Sequence, residues 1–314
     1  MSSRERRPRL PAARFLLACV LLWLAGAGCS GSLPPPVPPV RERAAAWNRH
    51  GLAAEARGDR DEAIVAFGEA LKLNRSIEDG TGTATALVNL ARIHRFKGDL
   101  PLAKEKIDAA TLILPPDSPL FPETAFEKAK IGLASGNLPT AKEWAFRAVD
   151  AEKGDAAGRM LNLLARVLFL EGKGDEALGR AEAALAANRK SGVRGEEANS
   201  LRLLGDIAAA RRDRTNARDL YAAALSIDKD LAKSRKIADD LRALGAVAAA
   251  GEDTGGALAF YTRAYDVSIN GGDRREAAEA LLEMARLYEK TGAPDKAKSA
   301  MTEREKLLIA IEEK

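Results

Sequence analysis

From residue 45 onward, small and apolar positions recur in one order. A small residue (Gly51, Ala91, Ala129, Ala165, Gly205, Gly245, Ala285) is followed 12 residues later by an alanine: Ala63, Ala103, Ala141, Ala177, Ala217, Ala257, Ala297. Four residues beyond these stand Phe67, Ile107, Ala145, Ala181, Tyr221, Tyr261 and Met301. Three further on come Ala70, Ala110, Ala148, Ala184, Ala224 and Ala264, and then Arg304 breaks the series. Apolar pairs precede the small residue at −4 and −1, as in Leu161/Leu164, Leu201/Leu204 and Leu241/Leu244. Spacings of three and four mark one face of a helix. Small residues let two helices approach closely, and a larger side chain one turn on fills the groove to the next pair. Turn signals separate the helices: Gly58-Asp59, Gly98-Asp99, Gly136-Asn137 and Gly292-Ala293-Pro294. Glycine ends one helix, and Asp or Asn caps the next. No segment alternates with the period of two that a half-buried strand needs. The pattern predicts an all-α array of seven hairpins, about fourteen antiparallel helices, over residues 45–312.

These residues resemble the tetratricopeptide repeat. The clearest copy runs from Trp47 and Gly51 through Gly58-Asp59 to Ala63, Phe67 and Ala70. The resemblance covers residues 45–312 and implies a right-handed α-solenoid that binds proteins. The period is mostly 40 residues rather than the family's common 34. The longer connecting stretches, such as 188–195 and 269–275, resemble the long-period subclass found in adaptor proteins. The third copy departs most, with Ala125 and Lys128 at apolar positions. Residues 115–122 (PPDSPLFP) hold four prolines and cannot be helix interior, which predicts a Pro-rich loop and offers Leu120-Phe121 as an alternative contact site.

The N-terminus changes the picture. Residues 1–14 are basic, residues 15–25 are apolar, and small residues lead to Cys29, as in a signal peptide spanning 1–28. The apolar run is too short to cross a bilayer, which takes about 20 residues. Leu24-Ala25-Gly26-Ala27-Gly28-Cys29 resembles a bacterial lipobox, with Gly26 where leucine is usual. That resemblance implies acylation of Cys29, and Ser30 after it implies the periplasmic face of the outer membrane. Ordinary cleavage after Ala27 would instead leave a soluble secreted or periplasmic protein. Residues 29–44, rich in proline, then form an extended linker able to hold the folded part up to about 45 Å from a membrane.

Charge follows from the same division. The formal charge of the 314 residues is +4, from 49 basic and 45 acidic side chains. The first 28 residues hold five arginines and one acid, so 44 of each sign remain. A neutral remainder gives no reason to expect nucleic-acid binding. Both cysteines, Cys19 and Cys29, lie in the N-terminal segment, so the repeats carry no thiol chemistry.

Catalytic and cofactor signatures are missing from the sequence: no metalloprotease helix pattern, nucleophile elbow, phosphate loop or calcium loop occurs. The Gly172–Ala177 segment formally matches a dinucleotide fingerprint variant but links two predicted helices, so it reads as a repeat turn. His50 and His94 fall on packing positions of separate helices, too few for a metal site. The chain thus reads as a non-enzyme needing no cofactor.

In the resembled family, first-helix side chains at −6, −3, +1 and +4 from the small residue face the concave groove. Carried over, these positions give Arg92, Arg95, Lys130, Arg159, Arg166, Arg202 and Arg242, with Asn162, Asn199 and Phe169 beside them. Arginine beside asparagine resembles the carboxylate-gripping grooves of some family members, which implies an acidic segment or C-terminal carboxylate as ligand. The expectation is a membrane-anchored envelope scaffold similar in build to pilotin-like and assembly lipoproteins. The alternative is a regulatory subunit that docks a cell-wall or export enzyme.

Overall fold

A computed structural model describes residues 39–312. Among the described residues there are fourteen helices and no strand. The odd-numbered helices are the first arms of seven hairpins: α1 (Pro39–Arg57), α3 (Gly80–Lys97), α5 (Phe121–Ala134), α7 (Ala157–Leu170), α9 (Arg194–Ala210), α11 (Ser234–Ala250) and α13 (Arg274–Lys290). The even-numbered helices are the second arms: α2 (Arg60–Ser76), α4 (Leu100–Ile113), α6 (Leu138–Ala151), α8 (Gly174–Ser191), α10 (Arg214–Asp230), α12 (Thr254–Asn270) and α14 (Pro294–Glu312). Each helix packs mainly on its neighbours in sequence, and successive first helices also touch. The result is the α-solenoid that the repeating pattern predicts.

The buried column follows that pattern. Ala63, Ala103, Ala141, Ala177, Ala217 and Ala257 are fully buried, and so are the six alanines seven residues after them. Phe67, Ile107, Tyr221 and Tyr261 fill the spaces between arms. Met301, at the same position in the hairpin of α13 and α14, is exposed. The core is consequently a series of clusters rather than one centre, the largest running from Phe121 in α5 to Ile207 in α9. Local contacts of this kind are how a repeat array earns its stability.

Turn chemistry explains the joints. Gly58, Gly98 and Gly136 have φ of +83°, +83° and +69°, left-handed values that end the preceding helix. The side chains of Asp59, Asp99 and Asn137 then accept from the backbone N–H of Glu62, Leu102 and Thr140. Gly172 at φ +79° lies between two helices, so Gly172–Ala177 is a repeat turn.

Two boundaries differ from the sequence expectation. Helix α1 starts at Pro39, inside the segment 29–44 read as linker, because proline suits the first turn of a helix and Ala44 is buried. The Pro-rich loop ends at Leu120, not at residue 122, and α5 takes Pro122 into its first turn. Phe121 is buried with its ring 6.3 Å from that of Trp144, and Leu120 packs against the α3–α4 core. That pair therefore secures the loop from within, Phe121 buried and Leu120 partly so. Lys128, at a nominally apolar position, lays its ammonium 4.1 Å from the Trp144 ring and pairs with Asp108 at 2.8 Å. The signal peptide expected over residues 1–28, with Cys19, and the acylation expected at Cys29 lie outside the described residues.

Candidate functional site

The first helices α3, α5, α7, α9, α11 and α13 line one open groove of about 1090 Å³. Arg95, Lys130, Arg159, Asn162, Arg166, Asn199, Arg202 and Arg242 all border it. Arg92 and Phe169 do not. The Arg92 guanidinium is mostly covered and bonds Glu123 at 2.8 Å, while Phe169 packs against the α5–α9 core.

The cations are not free. Arg159 pairs with Glu123 at 2.6 Å, Arg95 with Glu127 at 2.5 Å and Arg166 with Asp206 at 2.5 Å. Arg202 pairs with Asp240 at 2.6 Å and also with Asp228, and Arg242 pairs with Glu276. Each of these pairs except Arg202–Asp228, which lies within one hairpin, joins the first helices of successive hairpins, so the inner wall is stitched repeat to repeat. The asparagines are engaged too. Asn162 and Asn199 donate their amides to the Glu196 carboxylate at 3.0 and 3.2 Å, and Ser200 donates to Asn162 Oδ1 at 2.7 Å.

Burial sets the charge states. Asp240 is fully buried, and its carboxyl is pushed up to about 6 by desolvation, with Arg202 pulling it down and Asp228 adding repulsion. Desolvation likewise lowers Lys130 below the ordinary lysine range, Glu127 opposing the shift and Arg95 reinforcing it. The Lys130 ammonium stands 5.1 Å from the Phe126 ring, and the Arg159 guanidinium stands 4.6 Å from the same ring. Phe96 at the mouth of this cluster is 45% exposed, with the Arg95 guanidinium 4.4 Å from its ring. Cations over aromatic faces give this end of the groove a mixed apolar and cationic character.

Several contributors escape a reading of the four groove positions alone. Glu127 and Asp240 sit two and five residues before the small residue, and Asp228 is on a second helix. One signal was available: eleven residues after the repeated alanine stand Asn74, Asn188, Asp228 and Ser268, all buried. A polar residue recurring at a buried position marks a contact between repeats. His50 pairs with Glu62 at 2.9 Å and His94 lies 3.9 Å from Asp99, on separate helices. Among the described residues no group of three or more metal-ligating side chains converges.

Residues 42–107 and 157–230 match the family model of the tetratricopeptide repeat. Those two stretches carry tetratricopeptide repeats. No curated protein matches it in sequence. The repeat array is similar to a Rap protein complexed with competence and sporulation factor, with TM-score 0.66 and 15% identity over 85% of this chain and 76% of that one. It is also similar to a STAND-class signal-transduction ATPase with a tetratricopeptide-repeat sensor from Pyrococcus horikoshii, with TM-score 0.65 and 15% identity over 87% of this chain and 44% of that one. The pilF protein of Pseudomonas aeruginosa gives TM-score 0.51 and 18% identity over 83% of this chain and 99% of that one. At these identities the likeness is one of fold. The repeats are those of a protein-interaction scaffold.

Proposed function

We propose that this chain is a non-catalytic scaffold that captures an extended segment of a partner protein in its inner groove, and that acylation of Cys29 holds it at the bacterial outer membrane. The observation that carries the binding reading is the continuous groove across six successive first helices. Six helices at about 10 Å spacing leave about 50 Å, room for roughly 15 extended residues at about 3.3 Å each. The Rap protein, similar in fold, is complexed with a competence and sporulation factor. Envelope anchoring rests on the signal-peptide and lipobox resemblance of residues 1–29.

Arg202 is a poor probe of binding, because Asp228 and Asp240 hold it and reversal would leave three carboxylates together. Arg159 and Arg166 are better, being 34% and 45% exposed. A photo-crosslinker at Phe96, in cells that make the protein naturally, should give partner adducts that Arg159→Glu with Arg166→Glu abolishes. The exposed outer arginines Arg180 and Arg263, reversed together, should leave the adducts unchanged. Adducts insensitive to the groove pair but lost with the outer pair would move the binding surface to the second helices.

A further inference from the structure

We infer that the groove is electrically bipolar and selects a partner segment whose acidic end lies over α3–α7 and whose basic end lies over α9–α13. The proposal rests on the groove being the binding surface. Charged side chains lining its first half are Arg95, Lys130, Arg159 and Arg166, four cations and no carboxylate. Its second half presents Arg202, Lys236 and Arg242 against Glu196, Asp206, Asp239 and Glu283, a net −1. Covered partners preserve the contrast. Glu123 and Glu127 reduce the first half to +2, and Asp228, Asp240 and Glu276, with Arg286 beside Glu283, take the second to −3.

The two halves are centred roughly 30 Å apart on the helix spacing used above, against a screening length of about 8 Å at physiological salt. Each half therefore attracts its own complement, and the neutral total hides the difference. In the first half the cations face the groove while Glu127, fully buried, lies behind them. The apolar side chains between, Leu133, Leu163 and Leu203, suit an uncharged middle to the bound segment. Complementary potentials of this kind fix register and exclude wrong partners more than they add raw affinity.

A displayed library of random 15-residue peptides, panned against the full chain, tests this. Selected peptides should carry acids at one end and bases at the other. A photo-crosslinker at the acidic end should label α3–α7 and one at the basic end α9–α13. Arg159→Glu should weaken a selected peptide about tenfold, with recovery when the peptide's acidic end is changed to lysine. Asp239→Lys should do the same at the basic end, and circular dichroism of both variants should match the parent. Peptides that crosslink within the groove with uniform or scattered charge overturn the polarity and leave the groove as the binding surface. Peptides that crosslink to the even-numbered helices, or no enrichment over protein-free panning, overturn the groove reading and this inference with it.

Discussion

The Tyr221 ring lies across Gly205 so closely that a Cβ on that glycine would stand 2.6 Å from Cε1 of the ring. Gly245 and Tyr261 repeat the contact at 2.6 Å one hairpin later. Tyr221 cannot easily swing away, because its hydroxyl donates to Asp206 at 2.8 Å. Gly205→Leu should destabilise by about 1–3 kcal/mol through overpacking. Gly179→Ala, where nothing lies within 4 Å of the new Cβ, should stabilise α8 by about 0.5–1 kcal/mol. Urea unfolding of both variants checks the pair, and equal midpoints would contradict it.

Four turns use the left-handed conformation without glycine: Glu78 (φ 53°), Arg212 (φ 62°), Ala232 (φ 52°) and Glu252 (φ 65°). A Cβ makes that conformation costly by about 1–2 kcal/mol. Ala232→Gly and Arg212→Gly should therefore raise stability by up to about 1 kcal/mol each, even though glycine loosens the unfolded chain. Thermal unfolding should show an upward shift for both, and a downward shift would mean that side-chain contacts at these turns outweigh the strain.

Glu127 is fully buried among Arg92, Arg95 and Lys130. Glu127→Ala strands those cations and should cost about 3–5 kcal/mol, the usual penalty for breaking one side of a buried pair. Adding Arg95→Met should recover part of the loss. A double-mutant cycle by chemical denaturation measures the coupling, and simple additivity would show that Glu127 acts through packing alone.

The Asp240 carboxyl, raised to about 6 in the folded chain, gives a signed pH dependence. A raised acid holds its proton more tightly when folded, so its contribution is most favourable at about pH 4 and declines as pH rises through about 6. Asp240→Asn cannot ionise. Its stability relative to the parent should improve from pH 4 to pH 7, read from urea midpoints at each pH. A constant difference across that range would place the Asp240 titration elsewhere.

Cys29→Ser tests the anchor. The parent should fractionate with membranes and incorporate labelled fatty acid, since two acyl chains give stable attachment where one is marginal. The variant should be released or remain an uncleaved precursor. A parent that is soluble and unlabelled would support ordinary cleavage after Ala27.

The fold was legible because its cause is local and repeated. Ala63 and its six counterparts mark the close contact between arms, and Gly58-Asp59 marks the joint, with no need to know which repeat meets which. The groove was only half legible. Arg166, Arg202 and Asp206 could be placed on the inner wall from the small residues Ala165 and Gly205, but Asp240 and Asp228 could not, nor could the pairing of cation with carboxylate. Asp206 and Asp240 meet them through the offset between neighbouring first helices, which the within-repeat spacing does not contain. Phe169 shows the converse error: it occupies a nominal groove position, yet α7 turns it into the core. The turns at Arg212, Ala232 and Glu252 have no glycine in the left-handed position to mark them.

The recurrence of the glycine–tyrosine contact has a consequence for how this gene can change length. Helices α8, α10, α12 and α14 begin at residues 174, 214, 254 and 294, a constant step of 40. Excising residues 206–245 would place Tyr261 sixteen positions after Gly205, the separation Tyr221 has now, and would rejoin like to like. Unequal recombination in this half can therefore add or drop a whole unit while the helix register and the glycine–tyrosine contact are kept, although Arg166 and Arg202 would meet Ala246 and Ala280 in place of Asp206 and Asp240. The stretch from Leu100 to Leu170, with its four 14-residue helices and its proline loop, has no such interchangeable seam.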